Sequence, residues 1–169
     1  DVLTLKIAVI TGASSGLGRE YAFAAARRYA DIDELWLIAR REENLRQTAE
    51  QISKRVRIIP LDITKEESVK TYISMLEEEK PEIALLINNA GFGKLGDFDK
   101  LSYEDNGGMV RLNCEALTVM TSVPLPYMKN GGEIVNTCSI AAFAPNTRMA
   151  VYCSTKAYVL SLSKALRSE

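Results

Sequence analysis

Apolar and polar positions fall into blocks of two kinds along the chain. Short apolar runs at residues 5–10, 34–39, 56–61, 82–87 and 133–138 predict five β-strands. Longer stretches separate them, with apolar positions three and four apart. Residues 18–30, rich in Ala and Arg, predict a first helix, and 41–54 a second, with Leu45, Ala49 and Ile52 at helical spacing. Residues 65–80 predict a third, with Val69, Ile73 and Leu76 on one face. The stretch 91–101 holds three glycines and reads as a loop. A long helical region over 102–129 follows, which Gly107-Gly108, Pro124 and Pro126 should disturb. Residues 152–167 predict the last helix.

Strands alternating with helices of this length imply parallel strands joined by right-handed crossovers. Near-continuous apolar strands fit a sheet covered on both faces. The expected fold is α/β, a doubly wound, Rossmann-like parallel sheet forming a single domain over residues 1–169. Ligands in such a sheet sit at the carboxyl ends of the strands.

Composition narrows the function. Lys plus Arg number 21 against 22 Asp plus Glu, a net charge of −1, so no single-sign field favours nucleic acid or an anionic membrane. No apolar run reaches the length of a membrane span, and the chain runs straight into a strand, so neither a span nor a signal peptide is expected. Cys114, Cys138 and Cys153 are odd in number and form no CxxC pair, which points to reduced thiols in a cytoplasmic setting and to no metal site. The chain has no histidine, which excludes His-based triads and most catalytic zinc sites.

The turn after the first strand carries Thr11, Gly12, Ala13, Ser14, Ser15, Gly16, Leu17 and Gly18 and opens the first helix. Glycines there permit a tight turn and a close backbone approach to a pyrophosphate, and the helix N-terminus supplies free N–H groups. The spacing is GxxxGxG, neither the common GxGxxG nor a Walker A loop. Residues 12–16 also spell the GxSxG of a nucleophile elbow, but that reading needs a histidine base.

Five motifs in order make the chain resemble the classical short-chain dehydrogenase/reductase family. They are the 11–18 turn, Asp62 (with Ile63) after the third strand, Asn88-Asn89-Ala90-Gly91 after the fourth, Asn113 in the next helix, and Ser139 with Tyr152-Cys153-Ser154-Thr155-Lys156. The resemblance implies that Asp62 contacts the adenine of a nicotinamide dinucleotide and that Asn89, Ala90 and Gly91 line its site. It makes Asn113, Ser139, Tyr152 and Lys156 a catalytic tetrad. It also implies a homodimer or homotetramer and a small-molecule carbonyl or alcohol substrate.

The chemistry of these side chains is consistent with that role. Tyr152 and Lys156, four residues apart, share a helical face. A phenol ordinarily titrates near ~10, and a neighbouring ammonium favours its anion. Tyr152 is then expected to give a proton during reduction and take one during oxidation. Ser139 is expected to bond the substrate oxygen, Lys156 the nicotinamide ribose, and Asn113 a water relaying protons to Lys156. At the end of the second strand, where an acidic residue would hold the ribose of NAD, the chain has Ala39, then Arg40 and Arg41. A guanidinium suits a 2′-phosphate, which selects NADP over NAD.

The chain ends soon after the Tyr152 helix, where the family continues through further strands, so a truncated domain with an exposed edge at the fifth strand is expected. Phe92, Phe98, Phe143, Pro145 and Met149 hint at an apolar substrate, while a 3-oxoacyl thioester, a steroid, a sugar and a small ketone all remain open. The alternative is a non-catalytic dinucleotide-binding sensor on the same fold.

Overall fold

A computed structural model describes residues 3–169. Five parallel strands form one sheet in the order β3-β2-β1-β4-β5: β1 (Lys6–Thr11), β2 (Glu34–Ala39), β3 (Arg55–Pro60), β4 (Glu82–Asn88) and β5 (Met128–Asn136). The chain winds outward from β1 in one direction and then, from β4, in the other. The reversal leaves a crevice at the carboxyl ends of β1 and β4, where such sheets take ligands.

Alternate residues of the apolar runs feed two cores. Ile7, Val9, Trp36, Ile38 and Leu86 face one layer, with Tyr72 and Leu76 of α3 (Glu66–Glu79). Ala8, Ile10, Leu35, Leu37 and Leu85 face the other, with Ala22 and Ala25 of α1 (Gly16–Arg28) and Leu45 of α2 (Glu42–Ala49). Burial on both faces is why β1, β2 and β4 read as near-continuous apolar runs, while the outer strands β3 and β5 are partly exposed.

The reading of one long disturbed helix over 102–129 is corrected in three ways. Ser102 caps α4 (Tyr103–Val110) by accepting from the Asp105 N–H, and Gly107-Gly108 stay helical within it. A π-helical segment, Arg111–Ala116, follows and leads into α5 (Leu117–Ser122). Pro124 and Pro126 then end the helix in a short 3₁₀ turn, Leu125–Tyr127, because neither has an N–H to continue it. β5 accordingly begins at Met128, not 133. Its pairing steps from Ile83↔Met128 to Leu85↔Glu133, so residues 129–132 bulge out of the ladder, with Gly131 at φ 92°. The second helix also stops at Ala49 instead of reaching 54. The Lys54 ammonium is drawn instead onto the carbonyls of Ala30 and Ile32, at 3.0 and 2.7 Å.

The last helix, α6 (Ala150–Ser168), packs against the π segment and α4. No helix among the described residues is long and apolar enough to cross a membrane. The three cysteines are unpaired.

Candidate functional site

The crevice at the carboxyl ends of the strands holds a cavity of about 580 Å³. Gly12, Ser14 and Ser15 form one side, Ala39 to Arg41 and Asp62 to Thr64 a second, Asn89 to Phe92 a third, and Gly108, Arg111 and Leu112 the wall opposite. Four segments distant in sequence meet there because they follow β1, β2, β3 and β4 in turn.

Two glycines of the turn are required by geometry. Gly12 has φ 67° and its N–H donates to the Ile38 carbonyl at 2.9 Å. Gly18 is buried, and a Cβ there would stand 1.9 Å from the Gly12 oxygen, so only glycine lets α1 seat against the turn. Gly16 faces open space at φ 52°. Ser15 stands at the N-cap of α1 without a side-chain cap bond, and the first turn holds no acidic residue. The leading N–H groups of α1 are thus left for an anion. Arg19 braces the turn by donating to the Ser14 carbonyl at 3.0 Å and to Thr48 at 3.2 Å, while the Thr48 hydroxyl donates to the Ala13 carbonyl.

Asp62 is fixed by the Thr64 N–H and hydroxyl, both donating to its Oδ1. Burial pushes its pKa up, but the Thr64 bonds and the charges of Arg40 and Lys65 outweigh it and hold the carboxyl below its ordinary value. Arg40 and Arg41 are exposed on the cavity's edge, and among the described residues neither pairs with a carboxylate. The Thr11 hydroxyl accepts from both Asn89 N–H and Ala90 N–H at 3.1 Å, and Asn89 Oδ1 accepts from Thr137, tying β1, β4 and the end of β5 together.

The other predicted residues lie beyond the 91–93 stretch. A Cβ on Gly91 would stand 3.0 Å from Asn113 Oδ1 and 3.9 Å from Lys156 Nζ; one on Gly93 would stand 2.7 Å from the Tyr152 ring. Lys156 is buried, donates to the Thr137 carbonyl at 3.0 Å, and has its Nζ 5.8 Å from the Tyr152 ring centroid. Burial depresses its pKa, against the thiols of Cys138 and Cys114, which raise it. The Tyr152 hydroxyl makes no hydrogen bond to another described residue and is available to a ligand. Ser139 Oγ accepts from the Ala141 N–H, which leaves its proton free to donate. Asn113 is buried and occupied: Oδ1 accepts from Phe92 N–H at 3.0 Å, and Nδ2 donates to Phe92 O at 2.9 Å and to Thr155 Oγ1 at 3.1 Å.

The sequence reading thus placed its residues in one neighbourhood, with Gly16 and Leu17 at the helix start, Gly18 inside the packing, and Tyr152, Lys156, Ser139 and Asn113 past the cavity wall. It missed Thr11, Arg19, Thr48, Arg111, Thr137 and Thr155. Thr11 and Thr155 stand inside motifs it quoted, and Arg19 directly follows Gly18; the rest carry no sequence signal, because their partners are 35 or more residues away or lie across the cleft.

A dinucleotide fits these residues: an uncapped helix N-terminus beside open space at Gly16, unpaired guanidinium groups at the end of β2, and a free phenol beside a buried ammonium. Comparison with known proteins agrees. A protein from Pinus massoniana, an 11-beta-hydroxysteroid dehydrogenase, is 35% identical over 97% of this chain and 47% of its own length. An NADP-dependent 3-hydroxy acid dehydrogenase from Schizosaccharomyces pombe is 38% identical over 97% of this chain and 65% of its own. The chain therefore spans about half to two thirds of the length of these relatives. The crystal structure of a bulky-bulky ketone specific alcohol dehydrogenase from Comamonas testosteroni superposes with a TM-score of 0.82 at 35% identity, covering 97% of this chain and 67% of that one. Two similar structures are complexes, one from Sphingobium yanoikuyae with NADPH (TM-score 0.81, 33% identity, 97% of this chain and 65% of that one) and one from Burkholderia phymatum with NAD (TM-score 0.83, 30% identity, 96% and 59%). The short chain dehydrogenase family model matches residues 6–169, so these motifs and this sheet place the chain in the short-chain dehydrogenase family.

Proposed function

We propose that this protein is an NADP-dependent oxidoreductase acting between a carbonyl and a secondary alcohol, with Tyr152 as general acid and base. One observation carries the reading: the unbonded phenol of Tyr152 stands one helical turn from the buried ammonium of Lys156, next to a cleft shaped for a dinucleotide. A bound nicotinamide would supply the site with a hydride donor or acceptor. The protein's own groups manage the proton. In this reading the Tyr152 phenol, with the buried ammonium of Lys156 one helical turn away, gives its proton to a developing alkoxide and regains one afterwards. Ser139 donates to the same oxygen and polarises it. Arg40, with Arg41 beside it, receives the 2′-phosphate.

The rim beside Tyr152, outside the lining of the cavity itself, supports a neutral, apolar substrate: Gly93 of the loop after β4 lies against the Tyr152 ring. The loop after β4 and the segment before α6 are joined by a bond from Gly96 N–H to the Arg148 carbonyl at 2.9 Å. They expose Leu95, Phe98, Ile140 and Phe143, while their cations are paired: Lys94 with Asp105, Lys100 with Asp99, Arg148 with Asp97. Steroid and bulky ketone substrates, the kinds named for two relatives, suit such a rim better than a sugar or an acid.

The test is titration with NADPH and NADH, followed by nucleotide fluorescence. Wild type should prefer NADPH, and Arg40→Ala should cost roughly ten- to 150-fold in NADPH affinity, the value of a charge-assisted bond, with little change for NADH. Equal binding of both nucleotides, unchanged by Arg40→Ala, would overturn the NADP assignment. Turnover of a bulky ketone that survives Tyr152→Phe intact would overturn the acid–base role.

A further inference from the structure

The side chain that ties Asn113 to α6 is Thr155, and nothing in the proton chemistry above uses it. Thr155 is 1% exposed, within the first turns of α6, between Tyr152 and Lys156. Its hydroxyl donates to the Tyr152 carbonyl at 2.8 Å. With its proton so engaged, the oxygen faces Asn113 only as an acceptor, and Asn113 answers with Nδ2 at 3.1 Å. That fixes the amide. Its other Nδ2 proton goes to Phe92 O and its Oδ1 takes Phe92 N–H, so both backbone groups of Phe92 are held by one side chain. Phe92, Gly91 and Ala90 are the wall between the cavity and the Tyr152–Lys156 pair.

We propose that Thr155 is a positioning residue: its hydroxyl anchors the Asn113 amide and so ties the cofactor-facing wall at 90–92 to the helix that carries the acid–base pair. The inference rests on the reading of the cleft as a dinucleotide site. Without the hydroxyl, a buried Nδ2 proton loses its acceptor and the amide loses its bond to α6. The wall is then free to shift against Lys156.

Thr155→Val keeps the shape and removes the hydroxyl; Thr155→Ser keeps the hydroxyl and removes the methyl. NADPH affinity of the folded protein is the readout, with circular dichroism and binding stoichiometry reporting the folded fraction. A loss of stability alone lowers stoichiometry and leaves the affinity of folded molecules unchanged. The expected result is an NADPH Kd raised about fivefold or more in Thr155→Val, the loss expected when a buried donor is left unpaired, and one near wild type in Thr155→Ser. Amide exchange at Phe92 should speed up in the valine variant only. Thr155→Ala repeats the comparison if the valine variant does not fold. Wild-type Kd and Phe92 protection in the hydroxyl-free variant, or equal losses in the valine and serine variants, would overturn the proposal. Failure of the wild type to bind any nicotinamide nucleotide would instead overturn the reading of the site itself.

Discussion

Adding one methyl group at three glycines should give three different results, and the local geometry sets each sign. At Gly18 the new Cβ would lie 1.9 Å from the Gly12 oxygen and 2.6 Å from Asn89 Nδ2. Relief requires the start of α1 to back away by about 1.6 Å, since non-bonded contacts settle near ~3.5 Å. The helix is held in place by Ala22 and Ala25 in the core, and the obstruction is backbone, so a flexible side chain cannot simply swing aside. Overpacking of this kind costs roughly 1–3 kcal/mol. The gain in helix propensity returns less than ~1 kcal/mol near a helix start, and a net loss of about 1–2 kcal/mol remains. At Gly16 nothing lies within 4 Å, but φ is 52°, so alanine should cost about 1–2 kcal/mol in backbone strain alone. At Gly107, inside α4 and with nothing within 4 Å, alanine should add about 0.5–1 kcal/mol. Urea unfolding of the three variants beside wild type measures all of this. A domain of this size converts 1 kcal/mol to roughly 2–4 °C, so Gly18→Ala and Gly107→Ala should melt on opposite sides of the parent. Wild-type stability in Gly18→Ala, or a loss in Gly107→Ala, would refute the steric argument.

Two further substitutions test buried and charged groups. Tyr72 packs edge-on against Trp36 with its hydroxyl buried and unbonded, so Tyr72→Phe should stabilise the protein by about 1 kcal/mol in the same unfolding assay; a destabilised phenylalanine variant would mean that the hydroxyl has a partner. Asp62 has a folded pKa below its ordinary value, so its contribution is fully present above the unfolded pKa and disappears as pH falls through the folded one. Asp62→Asn should therefore be less stable than wild type near neutrality and converge with it in acid, and a deficit that stays constant with pH would show that charge is not the cause.

The strands were legible because burial on both faces leaves unbroken apolar runs such as residues 34–39, and the glycine turn because φ near 67° at Gly12 admits few other residues. The helix over 102–122 was harder to place. Its glycines look like breakers, yet Ser102 caps it firmly, and Gly108 lies against Phe92, where a Cβ would meet the ring at 3.4 Å. The π segment that carries Asn113 was invisible, since its register depends on contacts to Phe92 and Thr155 across the fold. The early start of β5 was hidden by the bulge at 129–132, whose polar residues interrupt the apolar run that the ladder resumes at Glu133.

The acids of the chain follow the same logic as its glycines. Helices α2, α3 and α4 each carry two acidic residues in the first turn, Glu42 and Glu43, Glu66 and Glu67, Glu104 and Asp105, the usual complement to the positive end of a helix dipole. Helices α1, α5 and α6 carry none; α5 continues directly from the π segment, so α1 and α6 are the ones that open afresh without acid. These are the two whose N-termini bear on the candidate site: α1 begins at the glycine turn, and α6 presents Tyr152 within its first turn. A carboxylate at the start of α1 would occupy the place of a phosphate and repel it. One at Ala150 or Val151 would satisfy the dipole of α6 and at the same time oppose negative charge on the phenol beside it. With those positions left apolar or uncapped, no carboxylate at either helix start competes for the leading N–H groups or for the ammonium of Lys156. The absence of acid at these two helix starts is therefore itself part of the electrostatics of the site.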